Sequence, residues 1–175
     1  MIDLETLSTK PNATILTIGG VKFDPYTRVE PSQGMYHRID VESQAAMGRD
    51  VMEETIEWWG KQAEDVREEA LGDDDRIDLK YFIKQLNKWC VGVDVFWCQG
   101  PLFDYAILQN FYAQMQVPVP WNFWQIRDSR TLGSLVPRDP NEKRTGLHNA
   151  LDDCYFQARK VQQIFQQLDI RNERY

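Results

Sequence analysis

The sequence predicts an α/β fold: a mixed, five-stranded central sheet with helices on both faces. Two observations carry this. Strand-type runs rich in β-branched residues fill the chain up to Ile39. From Val41 onward, helical patterns alternate with two further short strand-type runs. Strand-rich stretches followed by helix, strand, helix, strand and helix suggest a mixed sheet covered on both sides.

Each element follows in order. Strand one is the start of the chain itself, around Ile2-Asp3-Leu4-Glu5. Only two residues precede Asp3, so either the start is trimmed or mis-assigned, or the strand is held mainly by its neighbours. Ala13 to Phe23 follows the turn-like Lys10-Pro11-Asn12 and reads as strand two. Asp24-Pro25 is turn chemistry, and Gly34 to Ile39 is strand three, an antiparallel neighbour. Val41 to Leu71 reads as helical and charged, with Met52, Ile56, Trp59 and Ala63 at helical spacing. Gly72 and three aspartates break it, the acids serving as a solvated helix start. Leu79, Phe82, Ile83, Leu86, Trp89 and Cys90 mark an amphipathic helix that Gly92 ends. Val93 to Cys98 is strand four, and Phe103-Asp104 opens a helix running to about Met115. Phe123 to Asp128 is strand five, Pro137 to Gly146 a polar basic loop. The last helix carries Leu147, Leu151, Cys154, Ala158, Val161, Phe165 and Leu168 as a core stripe.

Composition bounds the function. The 175 residues fit one domain, and 42% hydrophobic content with six Trp argues for a filled core. Net charge is −7, unfavourable for indiscriminate binding to phosphate backbones, so a nucleic-acid substrate requires bound metal and local basic residues at the site. Cys90, Cys98 and Cys154 are scattered and read as buried, reduced thiols. His37 and His148 are too few for a histidine-rich metal centre. No signal peptide or membrane-length apolar run is evident, so a cytoplasmic location and no membrane partner are expected.

The chemistry starts at Asp3 and Glu5. Two positions apart on a strand, they project the same way, and adjacent carboxylates repel unless a cation sits between them. Mg²⁺ takes such oxygen ligands together with substrate phosphates. In open α/β sheets, sites collect where strands end and helices begin, which brings Asp104 and the loop ending in His148 within reach of strand one.

Asp3-Leu4-Glu5, then Gly100-Pro101-Leu102-Phe103-Asp104, then His148-Asn149-Ala150-Leu151-Asp152-Asp153 resemble the three motifs of the DEDDh, or DnaQ-like, 3′–5′ exonucleases. The His-x-Ala-Leu-x-Asp string is the most specific piece. The stretch Thr55-Ile56-Glu57-Trp58-Trp59 also looks like phage-encoded or prophage-type members. The resemblance implies a ribonuclease H-like fold. It also implies two Mg²⁺ or Mn²⁺ held by Asp3, Glu5, Asp104 and Asp153, with His148 as general base. On an ideal helix Asp152, not Asp153, shares the flank of His148; the family's five-residue offset nevertheless selects Asp153 and leaves Asp152 a supporting role. Departures from the pattern are Cys98-Gln99-Gly100-Pro101, where an Asn is usual, and Thr6-Leu7-Ser8, where Thr-Gly is usual.

By the same resemblance Thr6 and Leu7 contact the terminal nucleotide, with Phe103 and His148 beside it. Trp58, Trp59 and Trp124 are candidates for stacking on a base, Trp59 fitting the buried stripe better than Trp58. Arg127, Arg130, Arg138, Lys143 and Arg144 are candidates for a positive rim, with Asp128 paired to Arg130 at the surface. The expected activity is release of nucleoside 5′-monophosphates from the 3′ end of single-stranded or 3′-overhang nucleic acid. DNA versus RNA is open, as is oligomeric state, a homodimer included. Two other readings compete. A non-catalytic nucleic-acid-binding module of the same fold predicts a missing acid or base, yet all five positions are filled. A haloacid-dehalogenase-like phosphatase would use Asp152-Asp153 as its late acidic pair, but leaves Glu5 and the His148 string unexplained.

Overall fold

The computed structural model describes residues 1–137 and 148–172. The architecture is α/β. Strands β1 (Ile2–Thr6), β2 (Ile15–Lys22), β3 (Ser32–Ile39) and β4 (Arg76–Ile77) form one mixed sheet in that order. The first two pairings are antiparallel and β3–β4 is parallel. Strands β5 (Phe96–Cys98) and β6 (Ile126–Asp128) form a separate parallel pair, with β5 lying beside β1.

Instead of one five-stranded ladder, the described residues give a four-stranded sheet and a two-stranded one. Two physical causes account for the difference. The two-residue β4 is too short to leave a periodic signal, yet it adds a fourth strand against Arg38-Ile39. Between β1 and β5, the Leu4 N–H donates to the Asp104 carboxylate at 3.2 Å. A side chain from the site thus occupies a donor on the β1 edge that faces β5.

Helices cover both faces, and two neighbouring glycines show why they come so close. Successive strand residues point to opposite sides. A Cβ on Gly19 would lie 2.1 Å from the Ala150 carbonyl oxygen, in the first turn of helix α7 (Ala150–Gln167). A Cβ on Gly20 would meet the Trp89 ring at 3.0 Å, on helix α4 (Leu79–Cys90), which packs on the other face. The core divides accordingly. Ile2, Leu4 and Ile18 join α4 residues Phe82 and Leu86 and helix α5 (Asp104–Gln114) residues Tyr105, Leu108 and Phe111. Met1 and Val21 join Cys154, Ala158, Val161 and Phe165 of α7. All three cysteines are free and buried, and burial pushes the Cys90 thiol up to about 12.

The charged stretch after β3 is three short helices, not one: Val41–Ala46, Glu53–Gly60 and Glu64–Leu71, designated α1, α2 and α3. Met52 and Ala63 cap α2 and α3, Ile56 is exposed, and of that apparent stripe only Trp59 is fully buried. Side-chain hydrogen bonding explains the first break. Buried Gln44 imitates a strand, accepting from Ile15 N at 2.8 Å and donating to Ile15 O at 2.7 Å. Chain reversal at Gly48 (φ +72°) then places Arg49 to donate to Ala13 O at 2.8 Å. The acidic trio does not start α4; Asp78 does, accepting from Lys80 N and Tyr81 N at 3.0 Å. Strands four and five are shorter than their sequence patterns: Val93 N still bonds Cys90 O in the turn after α4 and the strand begins at Phe96, while Phe123–Gln125 is a 3₁₀ turn and Ile126 begins the strand. A five-residue helix, α6 (Ser129–Gly133), follows β6, capped by Asp128 through Arg130 N at 3.0 Å and Thr131 N at 3.3 Å. Among the described residues no helix is long and apolar enough to cross a membrane.

Candidate active site

Alternation along β1 fixes the site. Ile2 and Leu4 point into the core beneath α4 and α5, so Asp3 and Glu5 point the other way, toward α7. Asp3 stands opposite Gly19, and the missing side chain there lets Ala150 rest on the strand. That contact brings Asp153, one turn along α7, to the two β1 carboxylates. One carboxylate oxygen from each of Asp3, Glu5 and Asp153 lies within 4.8 Å of the others. Asp153 and Glu5 are buried, Asp3 half-buried.

Asp104 enters along the edge of β1 that faces β5. It is the first residue of α5, its carboxylate bonded to Leu4 N. Burial, and then the negative charge of Asp3, hold its carboxyl well above the usual carboxylate range. Three acids gathered this closely, with buried Asp104 feeling the charge of Asp3, are unfavourable by themselves. Hard oxygen donors in such a cluster fit Mg²⁺ or Mn²⁺.

A pH dependence follows. The folded chain holds the Asp104 proton more tightly than the unfolded chain, where an aspartate titrates near pH 4. Cation-free protein is therefore expected to lose stability as pH rises from that value through the raised one. A cation held by these carboxylates would displace the proton. Were Mg²⁺ that ion, a hundredfold excess over its Kd would add about 2.7 kcal/mol near neutral pH, or roughly 5–10 °C in Tm, and little near pH 4. Thermal melts across pH, with chelator and with Mg²⁺, measure it.

Asp152 and Asp153 part company for a reason that helix projection misses. Helix α7 begins at Ala150, and Asn149 is its N-cap, accepting from Leu151 N at 3.0 Å and Asp152 N at 3.1 Å. His148 lies outside the helix with φ +63°, so its side chain does not follow helical spacing. Asp152 is exposed, Asp153 buried. The phosphatase-like reading thereby loses its paired late acids.

His148 packs edge-on against Trp58, with ring centroids 4.7 Å apart, and more distantly against Trp59 at 6.4 Å. Trp59 is buried and donates through Nε1 to Thr6 O at 2.9 Å, tying α2 to the end of β1. Its neighbour Trp58 is 39% exposed and forms a wall beside the imidazole.

The remaining sequence candidates scatter. Thr6 is buried and its hydroxyl donates to Ser8 O at 2.7 Å. Leu7 N donates to Thr14 O, and Leu7 O accepts from Met52 N. The main chain of the two residues is thus largely engaged within the fold, and the half-buried Leu7 side chain packs with Leu16 and Trp59. Phe103 is half-buried at the start of α5, packed against the core. Arg130 is exposed and donates to Gln99 O at 3.1 Å; it does not pair with Asp128, whose carboxylate is engaged as the α6 cap. Arg130 lines a cavity of about 230 Å³ with Gln99, Phe156, Gln157 and Lys160. Arg127 instead borders a second cavity, of about 520 Å³, with Met1, Trp97 and Phe165. Trp124 is exposed beside Phe123, at the opposite end of β6 from Arg130. The positive rim is therefore not one surface among the described residues; Arg138, Lys143 and Arg144 lie outside them.

Sequence reasoning missed two site residues. Gly19 carried a signal in its Gly-Gly pair within a strand. Gln157, buried on α7, donates to Asp3 Oδ1 at 2.8 Å. Its signal was an amide close to the apolar stripe.

Comparison with known proteins bears on this geometry. A search of curated proteins gives no match. The family model described as 3′-5′ exoribonuclease Rv2179c-like domain matches residues 1–165, which include the three clustered acids, Asp104 and His148. The chain belongs to the 3′-5′ exoribonuclease Rv2179c-like domain family.

Proposed function

We propose that the protein is a divalent-cation-dependent 3′–5′ exoribonuclease of the DEDDh type on a ribonuclease H-like fold. The observation that carries the reading is the convergence of Asp3, Glu5 and Asp153 from β1 and α7, in a chain of an exoribonuclease family. The antiparallel β1–β2–β3 order with a parallel β5–β6 pair beside β1 supports the fold assignment. The family description favours RNA over DNA.

Asp3, Glu5, Asp104 and Asp153 would hold two Mg²⁺ or Mn²⁺. Such ions supply Lewis acidity at the phosphoryl oxygens and acidify water. The chain's own residues do the rest. His148 accepts the proton of the water that attacks phosphorus. The bond from phosphorus to the 3′ oxygen of the preceding nucleotide breaks, that oxygen takes up a proton, and a nucleoside 5′-monophosphate leaves. Trp58 restricts the imidazole edge-on, so the base is oriented before substrate arrives. The half-exposed Trp58 face also offers a stacking surface for a base. An acidic protein needs cations near the phosphates, and Arg130 and Lys160, which line the smaller cavity together with Gln157, are described residues that would supply them.

The test uses 5′-labelled single-stranded RNA and matched DNA, with Mg²⁺ or chelator, beside a generic phosphomonoester. The proposal expects RNA shortened stepwise from its 3′ end only with Mg²⁺, and intact monoester. Hydrolysis of the monoester alone, or unchanged RNA, would contradict it. His148→Ala is expected to keep cation binding and to lose rate by about 10²–10⁴-fold. Unchanged turnover in that variant would remove His148 from the base role.

A further inference from the structure

We propose that Gln157 is a positioning residue for Asp3 and sets how tightly the acidic cluster holds its cations. The inference rests on the cation-site reading above. Gln157 is buried on α7, and its Nε2 donates to Asp3 Oδ1 at 2.8 Å. Seven residues after Ala150 is two helical turns, so Gln157 shares the face that lies on β2 at Gly19, opposite Asp3. Asp153 lies one turn before it on the same helix. One rigid element therefore supplies an acid of the cluster and the donor that orients a second acid on another element.

The cost of keeping this amide argues for a use. Gln157 Oε1 is buried and has no hydrogen-bond donor among the described residues. A buried acceptor without a donor costs about 1–3 kcal/mol. An apolar side chain of similar volume would extend the Cys154, Ala158 and Val161 surface without that cost. What the amide gives in return is its N–H. Asp3 sits among like charges that would turn its carboxylate outward in the absence of a cation. The Gln157 N–H holds that carboxylate inward, in place for the ion. Partners of this kind orient ligating groups, and their loss weakens metal affinity by 10–100-fold.

Mn²⁺ titration calorimetry on the full chain without RNA tests the proposal, alongside the Mn²⁺ concentration giving half-maximal RNase activity. Gln157→Leu is expected to bind Mn²⁺ about ten- to hundredfold more weakly. Its Tm in chelator should stay close to that of the parent, because removal of the orphaned oxygen offsets loss of the bond to Asp3. Excess Mn²⁺ should restore most of its turnover, which a loss of packing would not allow. Gln157→Met, also without a donor, repeats the test should the leucine variant fail to fold. Mn²⁺ affinity indistinguishable from the parent in a folded variant overturns the role of Gln157 and leaves the cation site standing. If the parent itself takes up no Mn²⁺, the cation reading fails, and this role with it.

Discussion

Asp153→Asn is expected to lower RNA turnover by about a thousandfold, while Asp152→Asn leaves it within a fewfold of the parent. Lewis-acid stabilisation by a bound ion is worth several kcal/mol, and about 1.4 kcal/mol corresponds to a factor of ten. Asp153 is buried, with an oxygen within 4.8 Å of those of Asp3 and Glu5. The amide keeps the volume and removes the charge, so the fold is retained. Asp152 is exposed and engaged in the cluster in no way that the geometry requires. Steady-state rates with purified variants at saturating Mg²⁺ decide the matter. A dead Asp152→Asn with an active Asp153→Asn would reverse the assignment.

The second large effect is on stability, and it reaches the site through packing alone. Gly19→Ala places a methyl 2.1 Å from the Ala150 carbonyl oxygen and 2.4 Å from Leu151 N, both main chain. No side-chain rotation relieves such a contact, so α7 must lift from β2. Overpacking of this kind costs about 1–3 kcal/mol. At 2–4 °C per kcal/mol for a chain of this size, Tm is expected to fall by roughly 2–12 °C. Lifting α7 also draws Asp153 and Gln157 away from Asp3, so the surviving folded fraction should bind Mn²⁺ poorly. Gly20→Ala meets only the Trp89 ring and the Met35 methyl at 3.0 to 3.2 Å, and makes a milder control. Differential scanning calorimetry with Mn²⁺ titration separates the two. Equal melting points for Gly19→Ala and the parent would refute the close approach of α7.

What the sequence disclosed, and what it hid, follows from the range of the interactions involved. The common direction of Asp3 and Glu5 needs only strand alternation, and the α7 stripe needs only helical spacing; both are local. Asp153 was reachable through a family offset but not through helix projection, because the left-handed backbone at His148 ends helical phase before Ala150. The three-helix segment after β3 looked continuous because Gln44 and Arg49, polar residues by type, act as buried main-chain partners for Ile15 and Ala13. Nothing local marks that. Gly19 and Gln157 each acquire meaning only from a partner far along the chain, Ala150 in one case and Asp3 in the other. The split of the sheet was equally hidden, since it depends on a carboxylate from α5 taking the Leu4 N–H.

Anomalous diffraction from crystals grown with Mn²⁺ locates the ions themselves. Manganese peaks are expected about 2 Å from carboxylate oxygens of Asp3, Glu5 and Asp153, with Asp104 beside them. Manganese bound elsewhere on the chain, with that pocket of acids left without a peak, would contradict the cation-site reading.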